Sequence, residues 1–167
     1  MRLNTKMRDL LHGVQPANLV ISPSLQLLLD EGFLWRGGAC LLAHFADGQR
    51  NFRPNDYQDL TGYECAVNSL HIEDYATTDV VAQTYMFVEQ LVGMWNRTHT
   101  DEKARVIVTS DEGDVVVKMH TIRIGEEYLA ADLEGYLDAV LEVDTTDELE
   151  NEDSLLDFAR SMNTKKI

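Results

Sequence analysis

Hydrophobic side chains recur at helical spacing over one long stretch near the middle of the chain. Residues spaced three and four apart share one face of an α-helix, so this stretch predicts a core-facing helix over residues 78–95. The side chains of that face are Val80, Thr84, Phe87, Val88, Leu91 and Trp95. Thr77 or Thr78 is suited to cap the N-terminus, and Asp79 complements the helix dipole in the first turn.

Two shorter helices are predicted before this one and another after it. Residues 5–13 fit a short N-terminal helix. Ser22 followed by Pro23 marks the start of a second helix, because proline at the first helical position lacks only an N–H that would be unpaired there. Near the C-terminus, residues 146–163 predict a closing helix. Its apolar residues are Leu149, Leu155, Leu156 and Phe158.

Runs rich in β-branched residues predict strands. Residues 105–109 and 115–124 flank the turn sequence DEGD and predict a hairpin. Residues 63–72 predict a further strand. One or two more are expected from Tyr128 and from Leu137. These strands do not alternate regularly with helices, as they would in a parallel sheet of βαβ units, so a mainly antiparallel sheet is expected.

The order of the elements indicates the fold class. The segment ACLLAHFA, residues 39–46, is too short for its periodicity to distinguish a buried helix from a strand. Helices come first, followed by a strand, the long helix, the hairpin, a strand and a last helix. This order is typical of an α+β fold. We therefore predict a single globular domain over residues 1–167, with a mainly antiparallel sheet packed against a central long helix and with N- and C-terminal helices.

The charge of the chain limits its partners. The 167 residues include 29 Asp and Glu against 14 Lys and Arg, which gives a formal net charge of −15. Nucleic acids and anionic membranes bind through basic patches, so we expect neither direct nucleic-acid binding nor a membrane surface. A basic partner protein is favoured electrostatically. Solubility alone is the other explanation of the acidity.

The two cysteines and the start of the chain indicate in which cellular compartment the protein is expected. Cys40 and Cys65 are too few for a disulfide framework. The first residues are interrupted by charges and do not resemble a secretory leader. We therefore expect a cytoplasmic protein.

The acidic residues are concentrated toward the C-terminus. Residues 124–159 hold 13 of the 29 acidic residues and no Lys or Arg. Such a block repels itself, so stability alone does not account for it. It is either a solvated surface or a docking face for a basic protein. The residues expected to form that face are Glu126, Glu127, Asp132, Glu134, Asp138, Asp144 and Asp147.

A second candidate site contains a thiol. Cys40 follows two glycines in RGGAC, and a helix beginning there would lower the pKa of its thiol. His120 lies in the predicted hairpin, and Asp132 follows beyond the next turn. The order Cys40, His120, Asp132 resembles that of papain-like thiol hydrolases. The resemblance implies nucleophile, base and orienting acid in those roles. The other interpretation is a core cysteine beside an ordinary hairpin.

Other chemistry is sparse. His71 and Glu73 point the same way in a strand, but two ligands do not make a metal site. The sequence has no phosphate-binding loop, dinucleotide fingerprint or nucleophile elbow. We expect no metal and no cofactor.

Three functions fit these observations. The leading hypothesis is a small acidic cytoplasmic protein, not an enzyme, that neutralises a basic partner in the manner of an immunity protein or a phage-encoded inhibitor. A toxin or a nucleic-acid-binding enzyme is the kind of partner that fits. The alternative is a papain-like hydrolase that uses Cys40. The third is a structural or assembly subunit, and a homo-oligomer stays open.

Overall fold

A long helix and an antiparallel sheet form most of the fold. A computed structural model describes residues 1–14, 20–48, 52–99 and 101–147. The helices are α1 (Thr5–His12), α2 (Pro23–Glu31), α3 (Ala43–Ala46), α4 (Leu60–Val67) and α5 (Val80–Thr98). The strands are β1 (Arg2–Leu3), β2 (Phe33–Arg36), β3 (Ala39–Leu42), β4 (Leu70–His71), β5 (Ala104–Asp111), β6 (Asp114–Thr121) and β7 (Ala139–Asp144). Short 3-10 turns occur at Pro54–Asp56, Ile72–Asp74 and Leu133–Gly135.

Five strands form one sheet in the order β1-β7-β5-β6-β4, and each neighbouring pair is antiparallel. Strands β2 and β3 form a separate antiparallel hairpin. The predicted α+β class is confirmed, with one domain, a mainly antiparallel sheet, a long central helix and a helix near the N-terminus. The predicted C-terminal helix lies outside the described residues beyond residue 147.

The two faces of the five-stranded sheet differ in chemistry, because successive side chains of a strand point to opposite faces. On β5, Ala104, Val106 and Val108 pack into the hydrophobic core with Phe87 and Leu91 of α5. The opposite face also holds the buried Ile107 and Val140, but it is rich in charge. By strand register it carries Arg2, Arg105, Lys118, His120, Glu142 and Asp144.

The predicted start of α2 is correct, and that of α5 is not. The start of α2 is confirmed, since Ser22 accepts a hydrogen bond from the backbone N–H of Ser24 and Pro23 occupies the first turn. Helix α5 begins two residues later than predicted. Its N-cap is Asp79, at φ 53°, so the prediction that one of the two preceding threonines caps it is wrong.

The strand predicted over residues 63–72 is wrong, because the first half of that stretch belongs to α4. Asp59 caps α4 by accepting a hydrogen bond from the backbone N–H of Gly62 at 2.8 Å. Near the other end, Glu64 and Asn68 bond to the backbone of β3 and β6. These tertiary bonds hold a helix where the local sequence favours a strand. Only β4 remains of the predicted strand.

The segment that contains Cys40 begins with a hairpin. Gly37 and Gly38 form the turn between β2 and β3, and both have positive φ angles, 61° and 84°. The ambiguous segment 39–46 is a strand followed by a single helical turn. Cys40 therefore lies within β3, and the prediction that it begins a helix is wrong. The expected strand from Tyr128 is also absent from the described residues, where a 3-10 turn takes its place.

Candidate functional site

The β5–β6 turn and the start of β7 lie at the same end of the sheet. Asp111 pairs with Asp114 across a two-residue turn, which confirms the predicted hairpin. Ser110 of β5 pairs with Ala139 of β7, so Asp138 lies beside this turn by strand register. We call the four acidic residues Asp111, Glu112, Asp114 and Asp138, together with Leu137 next to Asp138, the acidic end of the sheet.

The carboxylates of the acidic end form no ion pair with the residues that the structure describes. Asp111, Glu112 and Asp114 are exposed, and their carboxylates make no hydrogen bond or ion pair within the described ranges. Leu137 is 86% exposed among these charges. The ammonium of Lys6 lies at this end and bonds to the backbone carbonyl of Leu137. The acidic end therefore combines free carboxylates with an exposed apolar side chain.

Glu112 occupies an unfavourable backbone conformation. Both turn residues have positive φ, 47° at Glu112 and 103° at Gly113. A two-residue turn of this kind normally has Asn or Asp before Gly, because a longer side chain in the left-handed region costs about 1 kcal/mol or more. Glu112 is thus strained, and its side chain adds a third carboxylate to those of Asp111 and Asp114. Strain of this kind is often found at functional sites.

Sequence reasoning treated the DEGD segment only as a turn. The signal that would have identified it is the combination of three carboxylates in four residues with Glu, rather than Asn or Asp, in the first turn position. Of the acidic residues predicted for a docking face, only Asp138 belongs to the acidic end.

Two of the other predicted docking residues stabilise helix N-termini. The Glu126 carboxylate accepts hydrogen bonds from the backbone N–H and the hydroxyl of Thr61, at 3.0 and 2.9 Å, in the first turn of α4. The Glu134 carboxylate accepts from the N–H and the hydroxyl of Thr5, each at 3.0 Å, at the start of α1. A carboxylate at a helix N-terminus satisfies unpaired N–H groups and complements the dipole. Both residues therefore have a structural role within the chain.

Three more form ion pairs, two of them with Arg105 and one with the N-terminal amino group. The Arg105 guanidinium donates two hydrogen bonds to Asp144, at 2.6 and 2.9 Å, and lies 3.4 Å from Glu127. Burial alone would raise the pKa of Asp144, but the bonds and charge of Arg105 lower it on balance. Asp147 forms an ion pair with the amino group of Met1 at 2.5 Å. Glu127 remains largely exposed despite its contact.

Asp132 and Asp138 complete the predicted set. Asp132 is exposed, and its carboxylate accepts a hydrogen bond from the backbone N–H of Glu134 at 3.0 Å. Asp138 is half-buried, and its backbone carbonyl accepts a bond from the Asn4 side chain at 2.8 Å. The acidic residues predicted for one docking face are thus distributed over both ends of the sheet.

The environment of Cys40 is that of a core residue. Its side chain is 3% exposed, and its backbone N–H donates to the Glu64 carboxylate at 2.6 Å. Burial raises the pKa of the Cys40 thiol to about 12, and the negative charge of Glu64 adds to the shift. A thiol with this pKa is almost entirely protonated at neutral pH, which is the opposite of what a nucleophilic cysteine requires.

His120 lies on the charged face of the sheet. It is 2% exposed, and its Nδ1–H donates to the Thr121 carbonyl at 2.9 Å. Its Nε2 is buried and has no hydrogen-bond partner among the described residues. Burial lowers the pKa of His120, because a proton added at Nε2 would bring a charge into a poorly solvated position.

The three residues of the predicted triad make no hydrogen bond with one another. The His120 ring is held by Thr121, and the Asp132 carboxylate closes its own 3-10 turn. Neither arrangement orients an imidazole toward Cys40. These contacts give the hydrolase hypothesis no support.

In the described ranges, no group of three or more His, Cys, Asp or Glu side chains is placed to hold a metal ion. His71 and Glu73 do lie together, with the exposed His71 Nδ1 3.2 Å from the half-buried Glu73 carboxylate. In the same ranges, no helix is both long and apolar enough to cross a membrane.

Comparison with known proteins identifies the family. The chain is 32% identical over 118 residues to "Uncharacterized protein PM0498" of Pasteurella multocida (strain Pm70), a match that covers 64% of this chain and 73% of the relative. No solved structure matches the chain. The family model described as "Uncharacterized protein PM0498 family" matches residues 2–163. The chain therefore belongs to the PM0498 family.

Proposed function

We propose that this protein is a small binding protein, not an enzyme, that neutralises a basic partner protein through the acidic end of its sheet. A cytoplasmic immunity protein or a phage-encoded inhibitor acts in this way. The observation that carries the proposal is the turn of Asp111, Glu112 and Asp114, whose carboxylates form no ion pair with any described residue. A strained Glu at the turn adds to this charge.

The acidic end has the composition of a protein-binding surface. Leu137, 86% exposed, offers an apolar contact that a partner would bury, and the surrounding carboxylates offer charge. Apolar contacts buried at the centre of an interface supply affinity, whereas rim charges chiefly accelerate encounter and select the partner. A partner with Lys and Arg around an apolar pocket is complementary to this arrangement.

The cytoplasmic location is part of the proposal. Cys40 and Cys65 are both free and both buried. Free buried thiols are compatible with a reducing compartment, and a basic cytoplasmic enzyme or toxin would meet the protein there.

The test compares two variants of equal charge. The tip variant carries Glu112→Gln and Asp114→Asn. The control variant carries Glu89→Gln and Asp30→Asn. Glu89 and Asp30 line a groove together with Asp147, which follows β7 at the opposite end of the sheet. Each variant and the wild-type protein would be immobilised and exposed to lysate of the source cells, and the retained proteins would be quantified by mass spectrometry.

We expect a basic protein to be retained by the wild-type protein and by the control variant and to be depleted on the tip variant. Equal retention by the tip and control variants would show that the acidic end is not the docking surface. Retention of acidic or neutral proteins alone would contradict the proposed partner chemistry.

A further inference from the structure

Within the described ranges, no strand pairs with the outer edge of β2. The backbone N–H of Ala43 donates to the carbonyl of Gly32 at 2.9 Å, so these two residues form a hydrogen-bonded pair. Hydrogen-bonded and non-hydrogen-bonded pairs alternate along an antiparallel ladder. The next pair, Phe33 with Leu42, and the pair of Trp35 with Cys40 are therefore of the second kind. Their N–H and C=O groups point away from the hairpin.

The hydrogen bonds at the outer edge of β3 agree with this register. Side chains of Glu64 and Asn68 bond there to the backbone groups that the register turns outward. Glu64 accepts from the N–H of Cys40 at 2.6 Å, and the Asn68 side chain accepts from the N–H of Leu42 at 2.8 Å. The Asn68 amide also donates to the carbonyl of Cys40 at 3.0 Å. Three of the four backbone groups that point outward from β3, the two N–H groups and the Cys40 carbonyl, are thus bonded to side chains of the chain itself.

The outer edge of β2 has no such partners among the described residues. The N–H and C=O groups of Phe33 and Trp35 make no hydrogen bond with any of them. An exposed edge of this kind is a template for pairing with another strand, and proteins normally protect such edges. Four backbone groups in register are available at Phe33–Arg36.

The side chains along this edge are apolar and partly exposed. Leu34 is 38% exposed and Trp35 is 41% exposed. The indole N–H of Trp35 donates to Nε2 of His99 at 3.1 Å, so the ring is held in place although it faces solvent. A strand added to this edge would gain backbone hydrogen bonds and would also bury part of an aromatic side chain.

The charge near this edge favours a basic strand over a second copy of the protein. Two copies would each bring a net charge of −15, which opposes self-association. Asp101, Glu102 and Lys103 are exposed close to the hairpin, since the Glu102 carbonyl accepts a bond from Trp95, which packs against Trp35. Arg36 of β2 is paired with Asp47 at 2.8 Å, so the net charge of these groups is negative. An extended segment with Lys or Arg side chains would meet these carboxylates.

We infer that the open edge of β2, at Phe33 and Trp35, binds an extended basic segment of a partner protein by adding a strand to the hairpin. The inference takes the basic character of the partner from the proposed function. It does not depend on the acidic end, which lies at the other end of the sheet. The two surfaces can therefore be tested separately.

The probe is an acetylated and amidated peptide of four Lys-Val repeats, and a Glu-Val peptide of the same length is its charge control. Binding to the ¹⁵N-labelled protein would be followed by amide chemical shifts and by hydrogen exchange. Two variants isolate the backbone contribution. Trp35→Pro removes both the outward N–H and the indole side chain, whereas Trp35→Ala removes the side chain alone. Proline should be tolerated at this position because it lies on an edge strand. Circular dichroism would verify that both variants fold.

We expect the Lys-Val peptide to slow exchange and shift resonances at the amides of Phe33 and Trp35, with little effect from the Glu-Val peptide. Trp35→Pro should bind about five-fold more weakly than Trp35→Ala, which corresponds to one backbone hydrogen bond. Because the amide readout uses the wild-type protein, it decides the question even if Trp35→Pro does not fold.

Three results would overturn the inference. The first is a peptide effect confined to the acidic end, which would leave the proposed function standing. The second is the absence of any effect at Phe33 and Trp35, whatever the lysate comparison shows. The third is protection of these amides that rises with protein concentration in the absence of peptide, which would mean that a second copy occupies the edge.

Discussion

Glu64 of α4 and Arg123, two residues after the end of β6, form a bidentate ion pair. The Arg123 guanidinium donates to the two carboxylate oxygens of Glu64, at 2.7 and 2.9 Å, and Glu64 has no exposed surface. The same carboxylate accepts from the backbone of Cys40 and Thr121. The pair therefore joins the small hairpin to the main sheet.

Removing this carboxylate should destabilise the fold strongly. We predict that Glu64→Ala lowers the free energy of unfolding by about 3–5 kcal/mol, because it leaves the charge of Arg123 and several backbone N–H groups without partners in a partly buried position. Urea denaturation measures the loss. The exposed Glu102→Ala is the control and should change stability by less than about 0.5 kcal/mol. A loss below about 1 kcal/mol for Glu64→Ala would mean that the pair does not hold the hairpin.

His120 should make stability depend on pH. Burial lowers its pKa in the folded state, so the unfolded chain binds the proton more readily. The stabilisation is fully present above the ordinary histidine pKa of about 6.5 and is lost as the pH falls below it. Between pH 7.5 and pH 5, the wild-type protein should lose more stability than His120→Gln. Parallel losses in urea denaturation at the two pH values would contradict this assignment.

Cys40 should be unreactive toward alkylating reagents. A pKa near 12, set chiefly by burial, leaves almost no thiolate at pH 7. We predict that iodoacetamide modifies Cys40 as slowly as the equally buried Cys65, whose pKa burial also raises to about 12. Both should react much faster in denaturant. Selective, rapid alkylation of Cys40 in the folded protein would restore the hydrolase hypothesis.

Glu112 should weaken the fold while strengthening partner binding. We predict that Glu112→Asn raises the free energy of unfolding by about 1 kcal/mol, because Asn tolerates the left-handed conformation that Glu occupies at φ 47°. Thermal or urea denaturation measures the gain. If Glu112→Asn is no more stable than the wild-type protein, the turn is not strained and its carboxylate needs no functional explanation.

Sequence patterns predicted the elements whose local and tertiary preferences agree. The stripe that contains Phe87 and Leu91 predicted α5, and two β-branched runs predicted the β5–β6 hairpin. Helix α4 was missed, because its apolar and β-branched residues favour a strand locally. It is held instead by long-range bonds from Glu64 and Asn68.

The site was less predictable for a related reason. The net charge and the acidic C-terminal stretch indicated an acidic surface, but sequence spacing does not show which carboxylates find partners. Glu126 and Glu134 bond to helix N-termini that are distant in sequence. The free carboxylates at Glu112 and Asp114 lie outside the predicted stretch. Asp138 lies beside them because of the strand register, which cannot be read from the sequence.

The central claim is tested most directly by the association rate of the purified basic partner with the tip variant, Glu112→Gln with Asp114→Asn. Stopped-flow measurements at about 50 and 200 mM salt would compare it with the wild-type protein and with the control variant, Glu89→Gln with Asp30→Asn. Both variants lose the same charge. We predict that at low salt the tip variant associates about five- to ten-fold more slowly and depends less on salt, while the control variant stays within about two-fold of the wild-type rate. Equal rates and equal salt dependence for the tip and control variants would contradict docking at the acidic end.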